Sequence, residues 1–293
     1  LAVPGPDLVL TEPRVGRIVQ KFGGTSVADI ERIRHVATLV KRQVDQGDQV
    51  AVVVSAMAGV TNQLVDLVGQ FGPGRDGERD ACEYDAVVAT GECVTSGLTA
   101  LALQGLGIPA RSWHAWQVPV RTDDTHGRAR ILDIDAAELE QTLVRGEVPV
   151  VAGFQGLGAD GRTTTLGRGG SDISAVALAA ALRADRCDIY TDVDGVYTSD
   201  PRIVAKARKL DRITYEEMLE FASQGAKVLH TRAVELAMNR RVKLHVRSSF
   251  TGASGTMVVD EEEIVEQQVV SGIAYSRDEA KVTVVKVADR PGV

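Results

Sequence analysis

The sequence predicts an α/β fold, a mostly parallel sheet covered by helices on both faces. Three observations lead there. Short β-branched runs such as 50–54 show no polar alternation, as strands buried on both faces do not. Between them stand segments with apolar residues at helical spacing. The two kinds of segment alternate along the chain, the order that strand–helix–strand crossovers impose.

Arg17–Phe22 reads as the first strand. A helix follows over 29–44, with Ile30, Ile33, Val36, Ala37 and Val40 on one face. Next come a strand at 50–54, a helix at 61–70, and a Gly/Pro/charge loop at 71–79. One long helix is expected over 82–106, then a strand at Ala110–Trp113, a helix at 136–144 and a buried strand at Val148–Ala152. An Ala-rich helix at 171–183 leads to a strand at 187–191. Helices at 215–222 and 232–239 and a strand at 242–246 complete the pattern. Residues 1–16 lack periodicity and read as a disordered lead-in. Beyond Thr256 the composition shifts, and 281–287 reads as a strand before a Pro-Gly turn. That strand is expected to open a second domain of which the chain holds only the start.

The chain has 293 residues, enough for a well-buried core, and its 44% hydrophobic and 25% charged content is that of a globular protein. The net charge of -7, without a long Lys/Arg block, argues against a nucleic-acid partner. Cys82, Cys93 and Cys187 form no metal-ligand spacing, so a reduced, cytoplasmic protein is expected. No signal peptide is visible, and the longest apolar run, 175–182, is too short to span a bilayer, so no membrane association is expected.

Five clusters carry chemistry. Lys21-Phe22-Gly23-Gly24-Thr25-Ser26 closes the first strand; its glycines let backbone N–H groups approach an anion, and Lys21 adds a point charge suited to phosphate. The plain alternative is a tight turn with a solvated lysine. Ser55 and Thr61 follow the next strand, where open α/β sheets bind ligands, although Thr61 also fits the role of helix N-cap. Glu92 sits after Gly91 in an apolar, small-residue helix and needs either solvent or a cation such as an ammonium. Gly156 to Gly161 spells GxGxxG, but Arg-Thr-Thr-Thr follows instead of a helix, so Asp160-Gly161 reads as a hairpin turn. Gly167-Arg168-Gly169-Gly170-Ser171-Asp172 directly precedes the Ala-rich helix and aims N–H groups and the helix dipole at an anion, with Arg168 able to grip a carboxylate. Helix capping is the competing role for Ser171 and Asp172. The last cluster, 191–202, offers Thr191, Asp192, Tyr197 and Arg202, or else a simple hairpin ending at Pro201. Lys227 is an isolated cation whose default place is the surface.

In combination these clusters resemble the aspartate kinases of the amino acid kinase superfamily, over residues 17–259. The resemblance implies a three-layer α/β/α sandwich with a mainly parallel central sheet, and a kinase domain over 17–260. Residues 261–293 would be a linker and the first strand of an ACT regulatory domain, through which the full-length protein would form a homo-oligomer. The implied reaction is ATP-dependent phosphorylation of the L-aspartate side-chain carboxylate to 4-phospho-L-aspartate, the first step toward lysine, threonine and methionine. By resemblance, Ser55, Thr61, Glu92, Phe154, Arg168 and Ser171 line the aspartate site, with Glu92 on the amino group and Arg168 on a carboxylate. Lys21, Gly23 and Gly24 surround the transferring phosphoryl group, and Asp172 positions Lys21. Thr191, Asp192, Tyr197, Arg202 and Lys227 hold the nucleotide. Mg²⁺ is expected to ride on the ATP phosphates, with no protein carboxylate cage. Cys93 departs mildly from the family, which often has a polar or basic residue there. The competing readings are another small-molecule kinase of the superfamily and a non-catalytic nucleotide-binding regulatory subunit.

Overall fold

The computed structural model describes residues 15–72, 80–224, 228–264 and 272–273. Strands β1 (Arg17–Phe22) and β2 (Gln49–Val54) lie at its centre, each buried beyond its first residue. They pair in parallel, and the sheet continues on both sides. On one side come β6 (Val148–Ala152) and β3 (Ala110–Trp113); on the other come β9 (Arg186–Thr191), β11 (Leu244–Ser248), β12 (Thr256–Val259) and β10 (Arg212–Thr214). This eight-stranded sheet has the order β10-β12-β11-β9-β1-β2-β6-β3. Every neighbouring pair is parallel except β11 with β12.

Successive side chains of a strand point to opposite faces, and β2 shows the consequence. Val50, Val52 and Val54 pack against Ile33, Val36 and Val40 of α1 (Ile30–Asp45) and Leu103 of α4 (Thr90–Gly105). Ala51 and Val53 belong to the opposite layer. There α5 (Ala137–Val144), α6 (Gly170–Ala181), α7 (Tyr215–Ser223) and α8 (Thr231–Arg240) contribute Leu139, Val176, Met218 and Val234. The three-layer α/β/α sandwich is therefore present, with a mainly parallel sheet.

Several details depart from the sequence expectation. The long helix is two, α3 (Ala81–Val88) and α4, which meet at Ala89. There Gln155 Nε2 donates to the Ala89 carbonyl at 2.7 Å, taking an acceptor from the helix ladder. Ala81–Gly105 as a whole is long and apolar enough to cross a membrane by length and composition, yet half of that stretch is buried inside the protein. The strand expected at 242–246 begins at Leu244. Arg241 ends α8 in the left-handed conformation, φ 52°, and Val242 N–H turns back to Ala237 O. Finally, a second, four-stranded sheet went unread: β5 (Ile131–Ile134), β4 (Val120–Thr122), β7 (Gln155–Leu157) and β8 (Thr163–Thr165), in that order. β7 and β8 form the expected hairpin, with Gly161 at φ 79° in its turn.

The loop expected at 71–79 is described only at Phe71 and Gly72. The lead-in up to residue 14 and the strand expected at 281–287 lie outside the described residues.

Candidate active site

The parallel strands deliver their following loops to one edge of the sheet, the place where open α/β folds bind ligands. Hydrogen bonds stitch that rim together. Gly23 N–H donates to Tyr190 O at 3.2 Å, Ser55 N–H to Phe22 O at 3.1 Å and Gly153 N–H to Val54 O at 3.0 Å. A cavity of about 370 Å³ opens beyond it. Ser55, Thr61, Glu92, Phe154, Arg168 and Ser171, the residues expected to bind substrate, all line it. Lys21, Gly24 and Asp172 line it too. Gly23 is alongside, where an added Cβ would lie 3.4 Å from Lys21 Nζ.

Two helices start at this cavity without a side-chain cap. α6 has Gly169 at its N-cap, φ 70°, and α2 (Val60–Gly69) has Gly59, φ 80°. Ser171, Asp172 and Thr61 lie inside the first turns, so the capping roles weighed for them do not apply. Asp172 instead meets Lys21, with Oδ1 2.5 Å from Nζ in a largely buried pair. Such a pair fixes the ammonium in place, because an unpaired buried charge is costly. Gly169 is required twice over: its φ favours glycine, and a Cβ would stand 2.3 Å from His230 Cγ. The unshared N–H groups of both helices, with their dipoles, favour an anion in the cavity.

Glu92 supplies the opposite charge. Its Oε1 accepts from Ala56 N–H at 3.0 Å, while Oε2 is buried with no hydrogen-bond partner among the described residues. Burial pushes its carboxyl up to about 7, and the Ala56 N–H holds it back. Gly91 makes this contact possible, since a Cβ there would lie 2.7 Å from Ala56 Cβ. Arg168 is exposed and makes no ion pair among the described residues, so its guanidinium is free to meet a ligand. Phe154 holds φ 69°, a strained conformation for a side-chain-bearing residue, worth on the order of 1–3 kcal/mol. Two bonds hold it: its N–H donates to Ser174 Oγ at 3.0 Å, and its carbonyl accepts from Leu166 N–H at 3.0 Å.

The residues expected to hold nucleotide are less gathered. Thr191 ends β9 and Asp192 follows it at the same sheet edge, with Thr191 Oγ1 donating to Asp192 Oδ1 at 3.0 Å. Tyr197 OH donates to Asp194 Oδ1 at 3.0 Å, and Arg202 pairs with Asp200 at 2.8 Å while its side chain stays 87% exposed. None of the four lines the cavity. The segment is in part the hairpin weighed as its alternative, for Thr198 N–H donates to Arg208 O at 2.8 Å. Lys227 lies outside the described residues.

Sequence reasoning passed over Gln155. Its amide donates to Ala89 O and sets the break just before Gly91-Glu92; its Oε1 accepts from Ala115 N–H at 3.3 Å. A glutamine between Phe154 and Gly156, three residues beyond the apolar run 148–152, was the available signal. Ala56 was also missed, because a backbone N–H leaves no trace in residue type.

A profile of the amino acid kinase family matches residues 16–248. An aspartate kinase of Stutzerimonas stutzeri is 56% identical over 277 residues, covering 94% of this chain and 66% of that protein. The chain thus spans about two thirds of the length of the curated relatives it matches. Among solved structures, the aspartate kinase of Synechocystis superposes with a TM-score of 0.72 at 50% identity, over 83% of this chain and 40% of that one. Aspartokinase III of E. coli, solved in complex with aspartate and ADP, gives 0.72 at 34% identity, over 83% of this chain and 64% of that one.

Proposed function

The chain belongs to the amino acid kinase family, and within it to the aspartate kinases; from that premise we propose that it phosphorylates the side-chain carboxylate of L-aspartate with ATP, giving 4-phospho-L-aspartate. One observation carries the reading: a single cavity joins a buried carboxylate oxygen without a partner to two uncapped helix N-termini. A zwitterion with a second carboxylate fits such a site. Its ammonium meets Glu92, its α-carboxylate meets Arg168, and Ser55, Thr61, Phe154 and Ser171 shape the space around it.

The nucleophile needs no base. A carboxylate with a reference pKa of about 3.9 is already ionised at neutral pH. Its oxygen attacks the γ-phosphorus, the bond to the bridging oxygen breaks, and ADP leaves. The obstacle is bringing an anion against a polyanion, so positioning and charge neutralisation supply the rate. Lys21, held by Asp172, and the N–H groups of Gly24 and the first turn of α6 meet the transferring phosphoryl oxygens, with Gly23 alongside. Thr191, Asp192, Tyr197 and Arg202 hold the nucleotide along the neighbouring edge, and Lys227 is assigned to the same role.

Among the described residues no group of three or more His, Cys, Asp and Glu side chains is placed to hold a metal. Asp172 is engaged by Lys21, so the cavity does not fit a protein-held ion. A Mg²⁺ entering with ATP would be held by phosphate oxygens and water and would neutralise phosphate charge. Residues 261–293 fit the proposal as linker and opening strand of an ACT regulatory module, with homo-oligomer formation through it in a cytoplasmic enzyme. The test is ADP release with MgATP and a panel of L-aspartate, L-glutamate and UMP. Release dependent on L-aspartate supports the proposal. Release with another acceptor favours a different kinase of the superfamily, and no release with any favours a nucleotide-binding regulatory subunit.

A further inference from the structure

Away from the kinase cavity, three side chains stand in relay. Cys82 Sγ lies 3.1 Å from His126 Nε2, and His126 Nδ1 lies 2.8 Å from Asp85 Oδ2. Cys82 and Asp85 share α3, one turn apart, so both face the same way; His126 comes from the segment between β4 and β5. Asp85 is fully buried and accepts from Gly127 N–H at 3.0 Å, Thr165 N–H at 3.0 Å and Thr165 Oγ1 at 2.6 Å. Every one of these groups can donate, so Asp85 stands as the acceptor of the set. With Nδ1 directed at this acceptor, Nε2 is the ring nitrogen that faces the thiol. The imidazole is 11% exposed and Cys82 is partly exposed, so the sulfur is within reach of solutes.

A nucleophile, a base within hydrogen-bond reach of it, and a third group that orients the base make up the arrangement that activates side-chain nucleophiles. We infer that Cys82 is a nucleophilic thiol, activated by His126 and Asp85, that forms mixed disulfides with low-molecular-weight disulfides. The kinase reaction proposed above makes no use of these three residues. In the step, His126 Nε2 takes the thiol proton as the sulfur attacks one sulfur of the disulfide. The new S–S bond forms on Cys82, the old one breaks, and the departing thiolate receives the proton from His126. One disulfide and one thiol enter, and one of each leaves.

The other cysteines provide internal controls. Cys187 is fully buried. Cys93 is partly buried and faces the Gln155 amide at 3.1 Å, which is no base. Burial and the nearby Asp80 carboxylate push the Cys82 thiol up, so the thiol keeps its proton at rest and gives it up during the attack. The other charged groups near the thiol are Glu83, Arg162 and Asp160; Arg162 is paired with Glu83 at 2.5 Å.

The test is peptide mapping by mass spectrometry after exposure to hydroxyethyl disulfide. Cys82 is expected to react first, and at least about tenfold faster than in His126→Gln, in keeping with the 10²–10⁴ typical of a positioned base. Equal rates in the two folded proteins would overturn the inference. If His126→Gln does not fold, the wild-type pH profile decides. A rate that levels off below about pH 8.5, the ordinary thiol value, reports the imidazole. A rate that rises tenfold per pH unit up to that value reports an unassisted thiol and overturns the inference.

Discussion

Six helices of this protein begin in two ways, while α4 and α5 follow Ala89 and Ala136 and belong to neither group. α1, α3, α7 and α8 open with a side chain on their free N–H groups: Asp29, Asp80, Thr214 and His230. α2 and α6 open with a left-handed glycine and no side chain at all. The first kind satisfies its own donors and needs nothing further. The second kind leaves donors and dipole for something else, and both helices of that kind border the cavity that holds Lys21, Arg168 and Glu92. Among these six, the local rule is kept where the helix stands away from the cavity and broken where it borders it.

The largest effect is expected at the cation between those helix ends. Lys21→Ala should lower kcat on the order of a hundredfold or more, as when an electrostatic contact to developing charge is lost. A steady-state assay checks this, and near-normal kcat would remove Lys21 from the phosphoryl site. The contrast between helix starts can be attacked directly at Gly59, whose added Cβ would meet nothing within 4 Å. Gly59→Asp puts an anion and a cap where α2 has none. Activity should fall by about tenfold, equivalent to ~1.4 kcal/mol, with thermal stability little changed because the left-handed strain and the new cap offset one another.

Glu92→Gln should separate stability from function. Burial raises the Glu92 carboxyl from 4.5 to about 7, so the folded state holds its proton over that interval while the unfolded chain releases it. Glu92 therefore costs stability increasingly as pH rises from about 4.5 to 7, and the cost is full above that. In the ligand-free protein Glu92→Gln should be more stable by on the order of 2 kcal/mol at pH 8 and unchanged at pH 4.5. Urea unfolding at the two pH values measures it. The smallest effect is expected on the scaffold side. Asp29→Ala removes a 2.8 Å bond to Arg32 N–H and should cost about 1 kcal/mol of stability, with kcat and both KM values unchanged.

How much of this was legible depends on how local the signal is. The central strands were readable because β1, β2 and β6 are buried on both faces, and the valine-rich runs of β2 and β6 admit little else. The second sheet was not, because β4, β7 and β8 have three residues each, too few to show a period. The break at Ala89 was hidden for another reason: the group that makes it, Gln155, is 66 positions away. In the cavity, glycine-rich turns announced Lys21, Arg168 and Asp172. Their chemistry shows only on assembly, as when Asp172 turns from possible cap to partner of Lys21 across the sheet. Asp85 and His126, 41 positions apart, left no motif.

The central claim is that Glu92 and Arg168 grip one amino acid while Lys21 and the helix starts serve the phosphoryl group. It is tested most directly by measuring KM for L-aspartate and for MgATP in Glu92→Gln and in Arg168→Lys. The expected result is an aspartate KM raised at least about tenfold in each, the loss of a charge-assisted contact, with the MgATP KM within about twofold of wild type. Equal increases in both constants would contradict it.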